Sequence, residues 1–379
     1  MKRVFNIILG VLALSVALTF AFGYDYLFNA VRFTYLKGKS GPNIDDGYLF
    51  PKSPIINGIA QPWPQDSMYN KQKLSVELLN HLNKTQTASF LVIKNGNLLS
   101  ENYWENYHQA TLTNSFSMAK TVTVMLAQMA VQDGKLRNMN QKLSDFFPDF
   151  KKDKFGKDCT LKDLATMESG LDWEENYQNP LKPNAKAYFG NNMAQWILHK
   201  KFKAKPGSQF EYQSGTTQLL GFAVREAIGM PLGAYASVKL WQPLGMEYPA
   251  YWGMDQKDGM EKAYCCVNAT SRDFAKLGQL LLNNGQWNGT QILDSDFVQE
   301  MTKGTKLSKG AYGWGIWTNE DAKIKHYYLR GLYGQYVICI PEYDMIIVRT
   351  GSSRNEDKDE KGRPQEVAFF VDEVVKTFQ

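Results

Sequence analysis

The chain has 379 residues, 44% hydrophobic and 21% charged, with a formal net charge of +5. That length and composition fit one large globular unit or two intimately joined ones with a sizeable core. The positive charge sits in short runs such as Lys200, Lys201, Lys203 and Lys205, without an arginine-rich arm, so it reads as solvated surface and excludes a nucleic-acid module.

Lys2 and Arg3 precede an apolar run from Ile7 to Phe22 broken only by Gly10, Ser15 and Thr19, the layout of an export segment. Ala21-Phe22-Gly23 is a passable small-x-small cleavage site and the run is close to bilayer-spanning length, so residues 1–23 fit a signal peptide and a retained membrane anchor equally. Either way the body is expected beyond the cytoplasmic membrane, in a bacterial periplasm or on the membrane's outer face. Residues 24–75, with Pro42, Pro51, Pro54, Pro62 and Pro64, read as an extended lead-in that drapes over the domain or spaces it from the membrane. Of the four cysteines, Cys265 and Cys266 are neighbours, where a disulfide is strained, so all four are expected as buried free thiols. His81, His108, His199 and His326 are isolated, with no metal-ligand spacing, and nothing in the chain implies a cofactor.

Helical spacing covers Leu74 to Leu82, and two apolar runs, Ser89 to Ile93 and Leu98 to Trp104, flank Asn95-Gly96, a hairpin signal because both turn residues need positive φ. Ser117-Met118-Ala119-Lys120 then opens a helix-patterned run to Gly134. Three residues apart on a first helical turn, Lys120 faces Ser117 and its amine can take the serine's proton, while the helix start offers free backbone N–H groups to an oxyanion. Residues 137–250 are a mainly helical insert with patches at Leu161 to Met167, Asn192 to His199 and Gln218 to Ile228. Within it, Tyr212-Gln213-Ser214 falls in a polar loop, Phe210 to Thr217, from which a tyrosine can enter a cleft and relay a proton. Aromatics such as Trp173, Tyr177, Tyr188 and Phe189 are candidates for the cleft lining.

Past the insert, Ser271 to Asn284 reads as a helix, and Tyr312 to Trp317, Tyr336 to Ile340 and Met345 to Thr350 as strands. Val367 to Phe378 closes the chain as an amphipathic helix. Arg330-Gly331-Leu332-Tyr333-Gly334-Gln335 leads into the second of those strands, and its glycines let a substrate approach the backbone, with the Leu332 N–H as a second oxyanion donor.

Ser-x-x-Lys, Tyr-x-Ser about a hundred residues on, and a glycine-bearing strand near the carboxyl end together resemble the penicillin-recognising serine hydrolases. That group takes in class C β-lactamases, D-alanyl-D-alanine carboxypeptidases, esterases of the same fold and 6-aminohexanoate-dimer hydrolases. The segments Thr166 to Trp173, Thr270 to Leu280, Gly331 to Gln335 and Gln61 to Pro64 look closest to the last branch. The resemblance implies an α+β, β-lactamase/transpeptidase-like fold over residues 76–379: an antiparallel sheet built from both chain ends, flanked by helices, with the helical insert beside it. It also implies a Ser117 nucleophile, a Lys120 base, a Tyr212 proton relay and oxyanion donors at Ser117 and Leu332, with Gly331, Ser214, Gly334 and Gln335 around the substrate. The substrate would be a small amide or ester; the alternatives are a D-alanyl-D-alanine peptidase or β-lactamase-type enzyme acting on cell-wall peptides or β-lactams, and a non-catalytic envelope protein that keeps the fold. Leu329-Arg330-Gly331 stands where β-lactamases carry Lys-Thr-Gly, and Ser214 stands where they carry asparagine.

Overall fold

The computed structural model describes all 379 residues. In chain order it carries helices α1 (Lys2–Ala21) and α2 (Tyr26–Phe33), strand β1 (Lys52–Ile55), helix α3 (Val76–Lys84), strands β2 (Thr87–Lys94), β3 (Asn97–Tyr103) and β4 (Thr113–Asn114), and helix α4 (Ala119–Gln132). The insert supplies α5 (Leu143–Phe146), α6 (Leu161–Ala165), α7 (Pro183–Phe189), α8 (Met193–Ile197), α9 (Ser214–Ile228) and α10 (Leu232–Ala236). Strands β5 (Ala250–Gly253) and β6 (Val267–Ala269), helix α11 (Ser271–Leu282), the small hairpin β7 (Gln286–Trp287) and β8 (Thr290–Gln291), and α12 (Ser295–Met301) follow. Strands β9 (Trp317–Asn319), β10 (His326–Gly331), β11 (Gln335–Ile340) and β12 (Met345–Gly351) and helix α13 (Gln365–Phe378) complete the chain.

Local signals account for many boundaries. Asn95 and Gly96 both adopt positive φ between β2 and β3. The Ser75 hydroxyl accepts from the Leu78 N–H at 3.1 Å at the start of α3, and Thr160 with Asp163 forms a reciprocal capping box at α6. The Thr270 hydroxyl accepts the Asp273 N–H at 3.1 Å at the start of α11. Two expected elements differ. The helix expected near Gln218 begins at Ser214, which places the Tyr212-Gln213-Ser214 stretch at a helix start. Tyr312 to Ile316 is not a strand: Gly315 has a φ of 72° and donates to the Ala165 carbonyl at 2.9 Å, which carries the segment behind α4 before the ladder resumes at Trp317.

The main sheet is antiparallel with order β3-β2-β12-β11-β10-β9, so strands from the two chain halves meet at the β2–β12 pair. Residues of α3 and α13 join one buried cluster with Phe90, Val92, Tyr336 and Ile338, while α11 covers the opposite face, Gly278 lying against Val337 and Ile346. A second sheet has the order β1-β5-β6-β4, with β1 packed against α10 of the insert. The fold is therefore the α+β, β-lactamase/transpeptidase-like arrangement that the resemblance implied.

The lead-in lies against the body and carries α2 and β1. In α2 the Tyr26 hydroxyl donates to the Pro180 carbonyl at 2.9 Å, Asn29 donates to the Phe189 carbonyl at 3.0 Å, and β1 pairs with β5. α1 precedes it with none of its residues buried, long and apolar enough to cross a membrane.

Candidate active site

Ser117 is fixed by its neighbours on the amino-terminal side. Ser115 donates its N–H to the Val267 carbonyl at 2.8 Å and accepts the Val267 N–H on its hydroxyl at 3.1 Å, which staples the approach to β6. The Phe116 N–H is held by the Asn114 side chain at 2.9 Å with Phe116 at a φ of 43°, a left-handed conformation that a phenylalanine adopts only under such constraint. Ser117 then sits in a short 3-10 turn that runs into α4.

Lys120, on the next turn, is buried, and its Nζ has three oxygen partners: Ser117 Oγ at 2.9 Å, Ser214 Oγ at 3.3 Å and the Tyr264 carbonyl at 3.0 Å. The Tyr264 carbonyl can only accept. Ser214 Oγ spends its own proton on Glu175 Oε1 at 2.6 Å, so towards Lys120 it too can only accept. Lys120 Nζ donates to Ser117 Oγ as well, so the amine stands among three oxygens with the nucleophile's hydroxyl in direct contact.

Glu175 organises this polarity, and nothing in the sequence pattern singled it out. Its carboxylate also accepts the Ser214 N–H and the Trp173 indole N–H, both at 2.8 Å, and the Tyr177 hydroxyl. Tyr177 leaves 53% of its surface exposed, yet its hydroxyl is turned inward. Burial of that hydroxyl and the adjacent carboxylate hold the Tyr177 phenol protonated, well above the usual phenol range.

Tyr212 lies on the other side of Lys120, its ring centroid 5.0 Å from Nζ. It packs edge-on against Tyr312 at 5.8 Å and tilted against Trp317 at 5.4 Å, and its hydroxyl forms no hydrogen bond with Ser117 or Lys120. At the end of β10, Gly331 pairs with Gln335 and runs so close to the nucleophile's turn that a Cβ there would come 2.2 Å from the Ser115 carbonyl oxygen.

Ser117 opens into a cavity of about 800 Å³, lined also by Ser214, Tyr264 and Leu332, by Glu175 and Tyr177, and by the aromatic rings of Phe116, Tyr188 and Tyr333. Ser117, Ser214, Leu332, Tyr177 and Tyr188 are thus brought together as cavity lining. Gly334 and Gln335 are not part of it. Gln335 clamps the hairpin, donating to the Leu332 and Gly351 carbonyls at 2.8 and 2.7 Å, and Gly334 lies under Arg349. Arg330 also points away, its guanidinium 4.7 Å over the Trp317 ring.

The cysteines require a correction. Cys265 and Cys266, expected as free thiols, are joined as a disulfide, and Cys265 borders the cavity. An extended backbone would send neighbouring side chains to opposite faces, whereas Cys266 has a φ of 73°, which turns the chain so that both sulfurs meet. Cys159 and Cys339 are free and buried.

Comparison with known proteins gives the family and the fold. The β-lactamase family model matches residues 76–371. A 6-aminohexanoate-dimer hydrolase of Paenarthrobacter ureafaciens is 21% identical over 308 residues, covering 74% of this chain and 76% of that protein. A Salmonella agona (strain SL483) protein described as a D-alanyl-D-alanine carboxypeptidase is 23% identical over 304 residues, covering 63% and 69%. Among solved structures, a Bacillus anthracis protein described as a 6-aminohexanoate-dimer hydrolase superposes with a TM-score of 0.73 at 24% identity, covering 86% of this chain and 90% of that one, a likeness of fold.

Proposed function

The chain belongs to the β-lactamase family of serine hydrolases, and from that premise we propose that it cleaves a small amide or ester through a Ser117 acyl-enzyme. The observation that carries the reading is the 2.9 Å contact between Lys120 Nζ and Ser117 Oγ, with the other Lys120 partners both acceptors. Lys120 takes the Ser117 proton as Oγ bonds to the substrate carbonyl, and the N–H groups of Ser117 and Leu332 hold the oxyanion. The bond to the leaving amine or alcohol then breaks, and that group departs with a proton passed through Lys120 and Tyr212, which moves towards Ser117 from its present packing as substrate enters. Water adds to the acyl-enzyme by the reverse proton path and releases the acid. Glu175 and Ser214 are positioning residues that fix the direction of the Lys120 hydrogen bonds.

The departure from the β-lactamase strand motif supports linear amides and esters over β-lactams, although Arg354 and Lys358 line the cavity. Leu329-Arg330-Gly331 replaces the lysine-bearing strand motif, and Arg330 is stacked on Trp317 outside the cavity. The apolar run ahead of the body supports an exported protein, working on the outer side of the cytoplasmic membrane.

The test is intact-mass and peptide mapping after exposure to a fluorophosphonate, with Ser117→Ala as control. A single adduct on Ser117, absent from the control, is expected. Lys120→Ala should abolish acylation, and Tyr212→Phe should lose turnover while keeping part of the substrate binding. Labelling of Lys120→Ala at the parent rate would remove Lys120 as the base.

A further inference from the structure

Building on the hydrolase reading above, we propose that the body rests on the outer leaflet of the membrane and that its substrate is an amphiphile, an acyl ester or amide held in that leaflet by its apolar end.

The first observation is the length of the connection. α1 ends at Ala21, and Tyr26, five residues on, is already 2% exposed in the core. The residues between are a hydrogen-bonded turn: Gly23 donates to Phe20, Tyr24 to Thr19 and Leu27 to Tyr24 at 2.8 to 3.1 Å. Phe20 of α1 stacks on Phe28 of α2 with centroids 5.7 Å apart. With α1 in a bilayer, α2 and everything fastened to it therefore lie at the headgroup boundary, with no tether to hold them away.

The surface at that boundary has the chemistry of a membrane-contacting face. Phe28 and Val31 on α2, Tyr35 (69% exposed), Leu36 (76% exposed) and Tyr48 are solvent-facing, and Leu181 joins them beside the Tyr26–Pro180 hydrogen bond. Aromatic and aliphatic side chains in that setting are suited to the interfacial layer. Residues 26–39 carry Arg32, Lys37 and Lys39 and no acidic residue, a charge that complements anionic headgroups, and only Lys39 is paired, to Asp46 at 2.9 Å.

The same surface runs into the active site. Ser40, Gly41 and Pro42, which follow directly on that basic and apolar stretch, line the Ser117 cavity, and so does Phe189, whose carbonyl is held by Asn29 of α2. An amphiphile leaving the leaflet beside Leu36 meets a wall of Pro42, Phe189 and Tyr188 before it reaches Ser117. The mixed apolar and polar lining suits a molecule with one end of each kind.

The experiment uses the full chain reconstituted into vesicles of phosphatidylcholine and phosphatidylglycerol. A fluorophore is placed on Leu36→Cys or, as control, on Glu342→Cys, which lies in the turn between β11 and β12 at the opposite end of the sheet from Gly331. Spin-labelled lipids should quench the probe at position 36 and leave the one at 342 bright. Equal quenching at both positions, or loss of fluorescence at 36 that depends on protein density and not on the lipid label, would overturn the proposal, the latter by showing a second copy on this face. A kinetic arm compares two esters with the same scissile bond, one water-soluble and one with a long acyl chain resident in the bilayer. Tyr35→Asp with Leu36→Asp should slow the bilayer-resident ester roughly tenfold or more and leave the soluble ester and the fluorophosphonate labelling of Ser117 unchanged. An equal effect on both esters would sink the substrate assignment. Failure of Ser117 to label in the parent protein would instead remove the hydrolase premise, while the quenching result would still judge the surface.

Discussion

Lys120 is buried among oxygen atoms, so its chemistry is decided by which of them can donate. Glu175 makes that decision by taking the Ser214 proton. In Glu175→Gln the amide can present an N–H to Ser214, freeing the Ser214 proton to turn towards Lys120 and disturb the contact between Lys120 Nζ and Ser117 Oγ. Fluorophosphonate labelling of Ser117 should slow by roughly 10- to 100-fold with the melting temperature little changed, the size expected when one oriented proton transfer is lost. Labelling at the parent rate would make Glu175 a purely structural carboxylate. Ser117 and Lys120 were legible in the sequence because one helical turn joins them. Glu175 was not, since its meeting with Ser214 spans 39 residues of insert and carries no periodic signature. A second buried amine behaves differently. Lys262 donates to the Tyr188 carbonyl and lies 3.6 Å from the centroid of the Phe50 ring, and burial pulls its pKa from 10.5 down to about 7 against the opposing charge of Asp255. Between those two values the unfolded chain binds the proton and the folded one does not, so the stability tied to Lys262 rises with pH through that window and is fully lost below about pH 7. A shift of that size corresponds to on the order of 5 kcal/mol. Lys262→Met, similar in shape and uncharged, should therefore stabilise the protein at pH 6 and have little effect at pH 10, as read from denaturant midpoints at the two pH values.

At the level of elements, the site depends on how closely the β10–β11 hairpin approaches the turn before α4. Gly331 has a φ of −119°, which any residue adopts, so its requirement is one of space: a Cβ would lie 2.2 Å from the Ser115 carbonyl and 2.9 Å from the Gln335 Cβ. Gly331→Ala should push β10 away from the nucleophile's turn, cost roughly 1–3 kcal/mol by overpacking, and lower the Ser117 labelling rate in the same protein. Thermal unfolding and labelling measured together check it, and a stable, fully reactive variant would show that the hairpin yields without consequence. The glycine was visible in the sequence, but its reason was not, because the clash comes from a segment more than two hundred residues earlier in the chain. The strands and helices with strong periodicity were legible, β2 and β3 through the Asn95-Gly96 turn and α13 through its apolar side. Tyr312 to Ile316 was misread because alternating aromatic and glycine residues imitate a strand, while the packing of Gly315 against Val124 of α4 sets the real path.

Across the whole molecule, sheet strands from both chain halves meet at β2 and β12, and the amino-terminal segment is a structural member of the body. Its prolines and glycines pointed to an extended lead-in and gave no sign of a helix at α2. The eight residues of α2 are too few to hold a helix by propensity, so only their docking makes them one, and docking leaves no local pattern to read. That dependence separates two truncations. A chain beginning at Tyr24 keeps Tyr26 in the core, Asn29 on the Phe189 carbonyl and Phe33 edge-on to Phe50 at 6.0 Å. A chain beginning at Asn43 loses all three, together with the Ser40 to Pro42 wall of the cavity. Buried aromatic surface of this kind is worth about 1.5–3 kcal/mol per side chain, so the shorter chain should melt several degrees lower than the longer one. It should also label more slowly at Ser117, because Tyr188 and Phe189 lose the helix that backs them. Equal melting temperatures would mean that α2 rests on the body without supporting it. A lower melting temperature with undiminished labelling would mean that the segment stabilises the fold and leaves the cavity to form without it.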